Sequence, residues 1–164
     1  MLAPALHLAF HASLVLLFGV LLGVPYARAI NGGASQQVVN SWRVAHQSLP
    51  MAAALMLAVA AALPLFNSAP IGLAWFVVAT LAGSTYAFCV SMPLAAITGH
   101  RGLTSDGRGL QRLVLYGNVL GAWLSVAACV GLVAISSSHF VMASTRLRDA
   151  DSPLSRSGGA PAAA

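Results

Sequence analysis

The sequence predicts an all-α protein, a four-helix bundle integral to a membrane. Two observations carry that expectation. First, the 164 residues are 59% hydrophobic and only 7% charged, whereas a soluble domain carries roughly 25% charged residues. So few charges cannot cover a water-facing surface, but they suit a lipid-facing one. Second, four apolar stretches reach the ~20 residues that a bilayer crossing needs.

The first span runs from about residue 5 to 26 and contains no formal charge. The second runs from about 44 to 66, and Asn67, Ser68, Ala69 and Pro70 make a short turn into the third, 71 to 97. A polar loop containing His100, Arg101 and Arg108 leads to the fourth, 110 to 142. Residues 1–144 form the membrane domain, and 145–164, rich in Ala, Ser, Pro, Gly and charge, read as a disordered tail. Ala27-Arg28-Ala29 resembles a signal-peptidase site, but no Lys or Arg precedes the apolar stretch, as a secretory signal wants. The first span is therefore expected to stay.

All 8 basic residues are Arg and all 3 acidic residues are Asp. Nucleic-acid binding wants a dense basic face in polar surroundings, and the sequence has none. Cys89 and Cys129 lie in apolar runs and read as small buried hydrophobes rather than a disulfide or a zinc motif. Let side A hold the termini and the 2–3 turn, and side B the other two loops. Arg28, Arg43, Arg101, Arg108 and Arg112 belong to side B, against Arg146, Arg148 and Arg156 on side A. The positive-inside rule then places side B in the cytoplasm, consistent with a bacterial inner membrane.

Two Gly-xxx-Gly patterns occur, Gly19 to Gly23 and Gly117 to Gly121. Small residues at this spacing let helices approach closely in lipid. Glycine is also simply common in membrane helices, and the spacing alone leaves both readings open.

Polar groups within the membrane are costly, and each is a functional candidate. His7, His11 and His139 fall toward side A, where they are interfacial residues or, less simply, ligands for zinc or copper. His46 opens the second span at side B. Tyr86 and Asn118 lie in the side B halves of the third and fourth spans, and with His46 they define one prospective pocket. The plainer alternative for both is interhelical hydrogen bonding. Trp42, Tyr26 and Tyr116 near side B, and Trp75 near side A, form the usual interfacial aromatic belt. Trp123 reads as packing.

Pro50, four residues beyond His46, cannot donate to the His46 carbonyl. The helix there is in its first turn or distorted. A neutral histidine at such a point suits a metal or haem.

Trp42-Arg43-Val44-Ala45-His46, followed by a proline, resembles the start of the second helix in styrene oxide isomerases. His11 ahead of Leu21-Leu22-Gly23-Val24, Gly32-Gly33, Leu63-Pro64 and Arg101-Gly102-Leu103-Thr104 agree in order, so the resemblance reaches to about residue 140. It implies a homotrimer with haem b between subunits, His46 as axial ligand, and a small hydrophobic epoxide as substrate. In that family ferric iron acts as a Lewis acid, the carbon–oxygen bond opens toward a benzylic cation, and a 1,2-hydride shift gives the aldehyde. Arg43 and Arg101 become candidates to pair with the propionates.

The sequence departs from the family at the residues that hold substrate. Met51-Ala52-Ala53-Ala54 has no amide where the family places an asparagine, and Ala82-Gly83 stands near an expected aspartate. Asn118 is the candidate to replace the amide, and Tyr86 is the one tyrosine on the third helix, where the family also places one. Two other functions fit the residues. A non-enzymatic haem protein for electron transfer or sensing needs a second ligand, for which His100 is the same-side histidine. A cofactor-free membrane scaffold leaves His46 merely interfacial.

Overall fold

The computed structural model describes residues 1–66, 69–99 and 109–150. Helix α1 spans Leu2–Leu21 and α2 Gly23–Asn31. They form one 30-residue membrane-length rod with a break at Leu22. Pro25 explains the break, because it has no N–H to return to the Leu21 carbonyl. Gly33, with φ of 65°, turns the chain in a left-handed conformation that favours glycine.

Helix α3 spans Gln36–Ala62 and closes in a 3-10 turn at Leu63–Leu65. It begins eight residues before the expected span start at 44. Residues 36–43 are too polar for the lipid core, yet they continue the helix, because hydropathy reports the solvent and not the backbone. His46 is therefore well inside the helix, with Pro50 in its interior. Of the two alternatives that Pro50 left open, the first turn is excluded.

Helix α4 spans Ile71–Thr98 and α5 Leu110–Ala150. The α5 backbone thus continues six residues past the expected tail boundary at 144. His100, Arg101 and Arg108, and the tail from 151 onward, lie outside the described residues. Four helices are long and apolar enough to cross a membrane, and the described residues contain no strand. The protein is an all-α membrane bundle.

Large apolar side chains face outward along every span, as lipid requires. Trp123 is 70% exposed, so it faces outward instead of packing inside. Cys129 is also exposed, while Cys89 is half-buried, and both are free thiols. The buried residues between helices are small or aliphatic: Ala5, Leu8, Ala12, Met56 and Ala74 in one cluster, Val15, Ala45, Leu49 and Ala53 in another.

The α4–α5 seam shows why the second glycine pair is needed. A Cβ on Gly117 would lie 2.8 Å from Ser91 Cβ, and one on Gly121 would meet the Phe88 ring at 2.8 Å. The close approach lets Ser84 Oγ donate to the Gly121 carbonyl at 2.8 Å, with Ser125 Oγ 2.6 Å from it. Gly117→Ala is expected to destabilise the protein by ~1–3 kcal/mol through overpacking. Gly72→Ala, with nothing within 4 Å, should not lower the thermal unfolding midpoint in detergent.

Candidate functional site

His46 sits where α3 crosses the break between α1 and α2. At the end of α1 the backbone N–H groups bond the carbonyls of Phe18 and Val20. The Gly19 carbonyl between them lies 2.9 Å from His46 Nδ1. A carbonyl can only accept, so Nδ1 carries the proton and donates it. In a neutral ring this leaves Nε2 unprotonated, with its lone pair available to a metal.

The first glycine pair builds the seat. A Cβ on Gly19 would lie 2.6 Å from Pro50 Cδ and 3.0 Å from Leu49 Cβ, so α1 and α3 touch backbone to side chain there. One turn on, a Cβ on Gly23 would lie 3.1 Å from His46 Cε1. Tyr26, a further turn on, stacks on the imidazole with ring centroids 6.0 Å apart and planes 29° apart. The Gly-xxx-Gly spacing, open in the sequence between helix packing and chance, is here both a helix contact and the cradle of the histidine.

A second feature lies beside it. Asn40, Ser41, Arg43 and Val44 of α3, Met92 and Ala95 of α4, and Asn118 of α5 line a cleft of about 480 Å³. Arg43 precedes His46 by one helical turn, so the two side chains are neighbours on α3. The Asn40 Oδ1 accepts from Gln36 Nε2 at 3.0 Å, and Ser41 Oγ donates to the Gln37 carbonyl at 2.9 Å. Gln37 Nε2 donates to the Gly99 carbonyl at 2.7 Å and ties the start of α3 to the end of α4.

Tyr86 is elsewhere. Its hydroxyl is 2.7 Å from His11 Nδ1, with the two rings edge to face at 89°. The structure therefore divides the three groups expected in one pocket: His46 on the α1–α2 break, Asn118 in the cleft with Arg43, and Tyr86 paired with α1. The physical reason is azimuth: depth can be counted along a helix, but the face that a residue presents depends on its neighbours. His7 meets Trp75, ring centroids 5.1 Å apart. No three His, Cys, Asp or Glu converge among the described residues, and the His139 side chain lies outside them.

The four-span bundle is the one that the sequence resemblance anticipated, while the glycine seat and the carbonyl partner of His46 are visible only in the structure. The family model described as styrene oxide isomerase matches residues 5–136. The chain belongs to the styrene oxide isomerase family. No curated protein and no solved structure matches it. Family membership together with four membrane-length helices makes this styrene oxide isomerase relative an integral membrane protein of isomerase type.

Proposed function

We propose that this styrene oxide isomerase relative converts a small hydrophobic epoxide into the isomeric aldehyde, with haem b held through His46 Nε2. The observation that carries the reading is the His46 Nδ1–H bond to the Gly19 carbonyl. A metal-binding histidine characteristically donates its other N–H to a carbonyl or carboxylate, which fixes its tautomer and raises its basicity. The residues present therefore fit the group. When bound, ferric haem supplies a Lewis acid that stabilises negative charge developing on the epoxide oxygen.

The protein's own residues have separate tasks. Gly19 and Tyr26 orient the imidazole, and Gly23 leaves room for it. Arg43 forms no ion pair among the described residues and is exposed one turn from His46, so its guanidinium suits a haem propionate. The Asn118 amide, in the same cleft, suits the substrate oxygen in place of the amide missing after His46. Apolar helices exclude the water that would divert the opened epoxide to a diol. Isomerisation breaks one carbon–oxygen bond, moves one hydride to the neighbouring carbon and forms a carbonyl, so it needs neither water nor an external reductant. The family resemblance supports a homotrimer with haem between subunits.

Product analysis tests the proposal. Haem-replete protein in nanodiscs is expected to turn styrene oxide into phenylacetaldehyde. Substrate deuterated at the CH2 carbon should keep both deuterium atoms, one of them shifted to the benzylic carbon. A diol product, or no turnover, would contradict it.

A further inference from the structure

The His11–Tyr86 pair lies apart from His46 and from the Arg43 cleft, and the proposed isomerisation leaves it unassigned. Tyr86 is near the middle of its span, and the 2.7 Å contact holds His11, expected toward side A, at the same depth. His11 is ~14 Å along the rod that begins at Leu2, and Tyr86 is ~22 Å from the start of α4 and ~18 Å from its end. They are also on the outside of the bundle: Tyr86 is 38% exposed and His11 is partly so. A polar pair is thus presented sideways to the acyl chains.

Counting protons shows what this pair lacks. A neutral imidazole has one N–H, and tyrosine has one O–H. The 2.7 Å bond uses one of these two donors. If Tyr86 donates to His11 Nδ1, the Nε2–H is left over. If Nδ1–H donates to Tyr86, the hydroxyl proton is left over. Either tautomer leaves one donor, and neither ring has another hydrogen bond among the described residues. An unsatisfied donor in hydrocarbon costs several kcal/mol, by the order of magnitude for buried polar groups. Lipid ester carbonyls do not relieve it, since they lie at the membrane surface, about 15 Å from the bilayer centre.

We propose that the His11–Tyr86 pair is a binding site, open to the acyl phase at mid-bilayer, for a neutral lipophilic molecule that carries a hydrogen-bond-accepting oxygen. Ethers, epoxides and carbonyl compounds have that chemistry. The Phe10 ring, edge to face with His11 at 5.6 Å, gives the site an aromatic flank. The site rests on this geometry alone and does not require that the chain isomerise epoxides.

Acetophenone labelled with 13C at its carbonyl is a suitable probe, because it accepts a hydrogen bond and has no epoxide to open. In nanodiscs, wild-type protein is expected to add a carbonyl infrared band at lower frequency than that of probe in protein-free lipid. Donor counting then makes an unusual demand. His11→Phe leaves the tyrosine O–H, and Tyr86→Phe leaves the imidazole N–H, so each single variant keeps the band. The double variant has no donor and loses it. A band that survives in the double variant overturns the site. So does its absence from the wild type, as when a second copy of the chain covers the pair. A second measurement does not need the double variant to fold. With 15N-histidine, the imidazole resonance that disappears in His11→Phe is expected to shift when acetophenone is added to the wild type. No shift of that resonance also overturns the proposal.

Discussion

Gly19→Ala is expected to weaken both the bundle and the haem site. The new Cβ would lie 2.6 Å from Pro50 Cδ and 3.0 Å from Leu49 Cβ. Neither neighbour yields easily: the proline ring is rigid and Leu49 is buried. The helices must move apart. Alanine favours helix over glycine by roughly 0.5–1 kcal/mol, which opposes the effect. Overpacking of a close contact costs ~1–3 kcal/mol, so the net result is destabilisation. Any outward shift of α1 also draws the Gly19 carbonyl away from His46 Nδ1, now 2.9 Å apart. Thermal unfolding in detergent should show a lower midpoint, and the purified variant should retain less haem. An unchanged midpoint would mean that α1 and α3 do not meet here.

Gly23→Ala tests the imidazole seat without wedging the helices apart. The three atoms nearest its Cβ would all belong to the His46 ring, with Cε1 at 3.1 Å. The ring must give by a few tenths of an ångström. It is held at one side by the Gly19 carbonyl and at one face by Tyr26, so a shift comes at the cost of ligand geometry. Changes to residues that orient a metal ligand typically lower metal affinity roughly 10–100-fold. Haem affinity is expected to fall within that range, while thermal unfolding of the haem-free protein changes little. Equal haem affinity in the variant and the wild type would show that Gly23 does not position His46.

Much of the fold was legible because the bilayer imposes it. A shortage of charge and four runs of sufficient length leave few alternatives to a helical bundle. The start of α3 was not legible in the same way, since Gln36 to Arg43 are helical without being lipid-soluble. The site was legible in part. His46 and Pro50 stand close in sequence, which singles the histidine out. The partner of His46, by contrast, lies 27 residues away on another helix. The His11–Tyr86 contact joins residues 75 apart. Counting turns placed Tyr86 in the side B half of its span but gave no information on which helix it faced. The same limit separated Asn118 from Tyr86, since equal depth does not imply a shared face. The Gly19 to Gly23 pair was visible, yet only the structure shows that its second glycine serves an imidazole.

The central claim is that His46 is the haem ligand of this styrene oxide isomerase relative. The most direct measurement is the visible absorption spectrum of haem-replete protein purified in mild detergent, beside His46→Ala. The wild type is expected to show a Soret band, and the variant to lose it while keeping the same helical circular dichroism. A colourless wild-type protein, or a Soret band unchanged in the variant, would contradict the account.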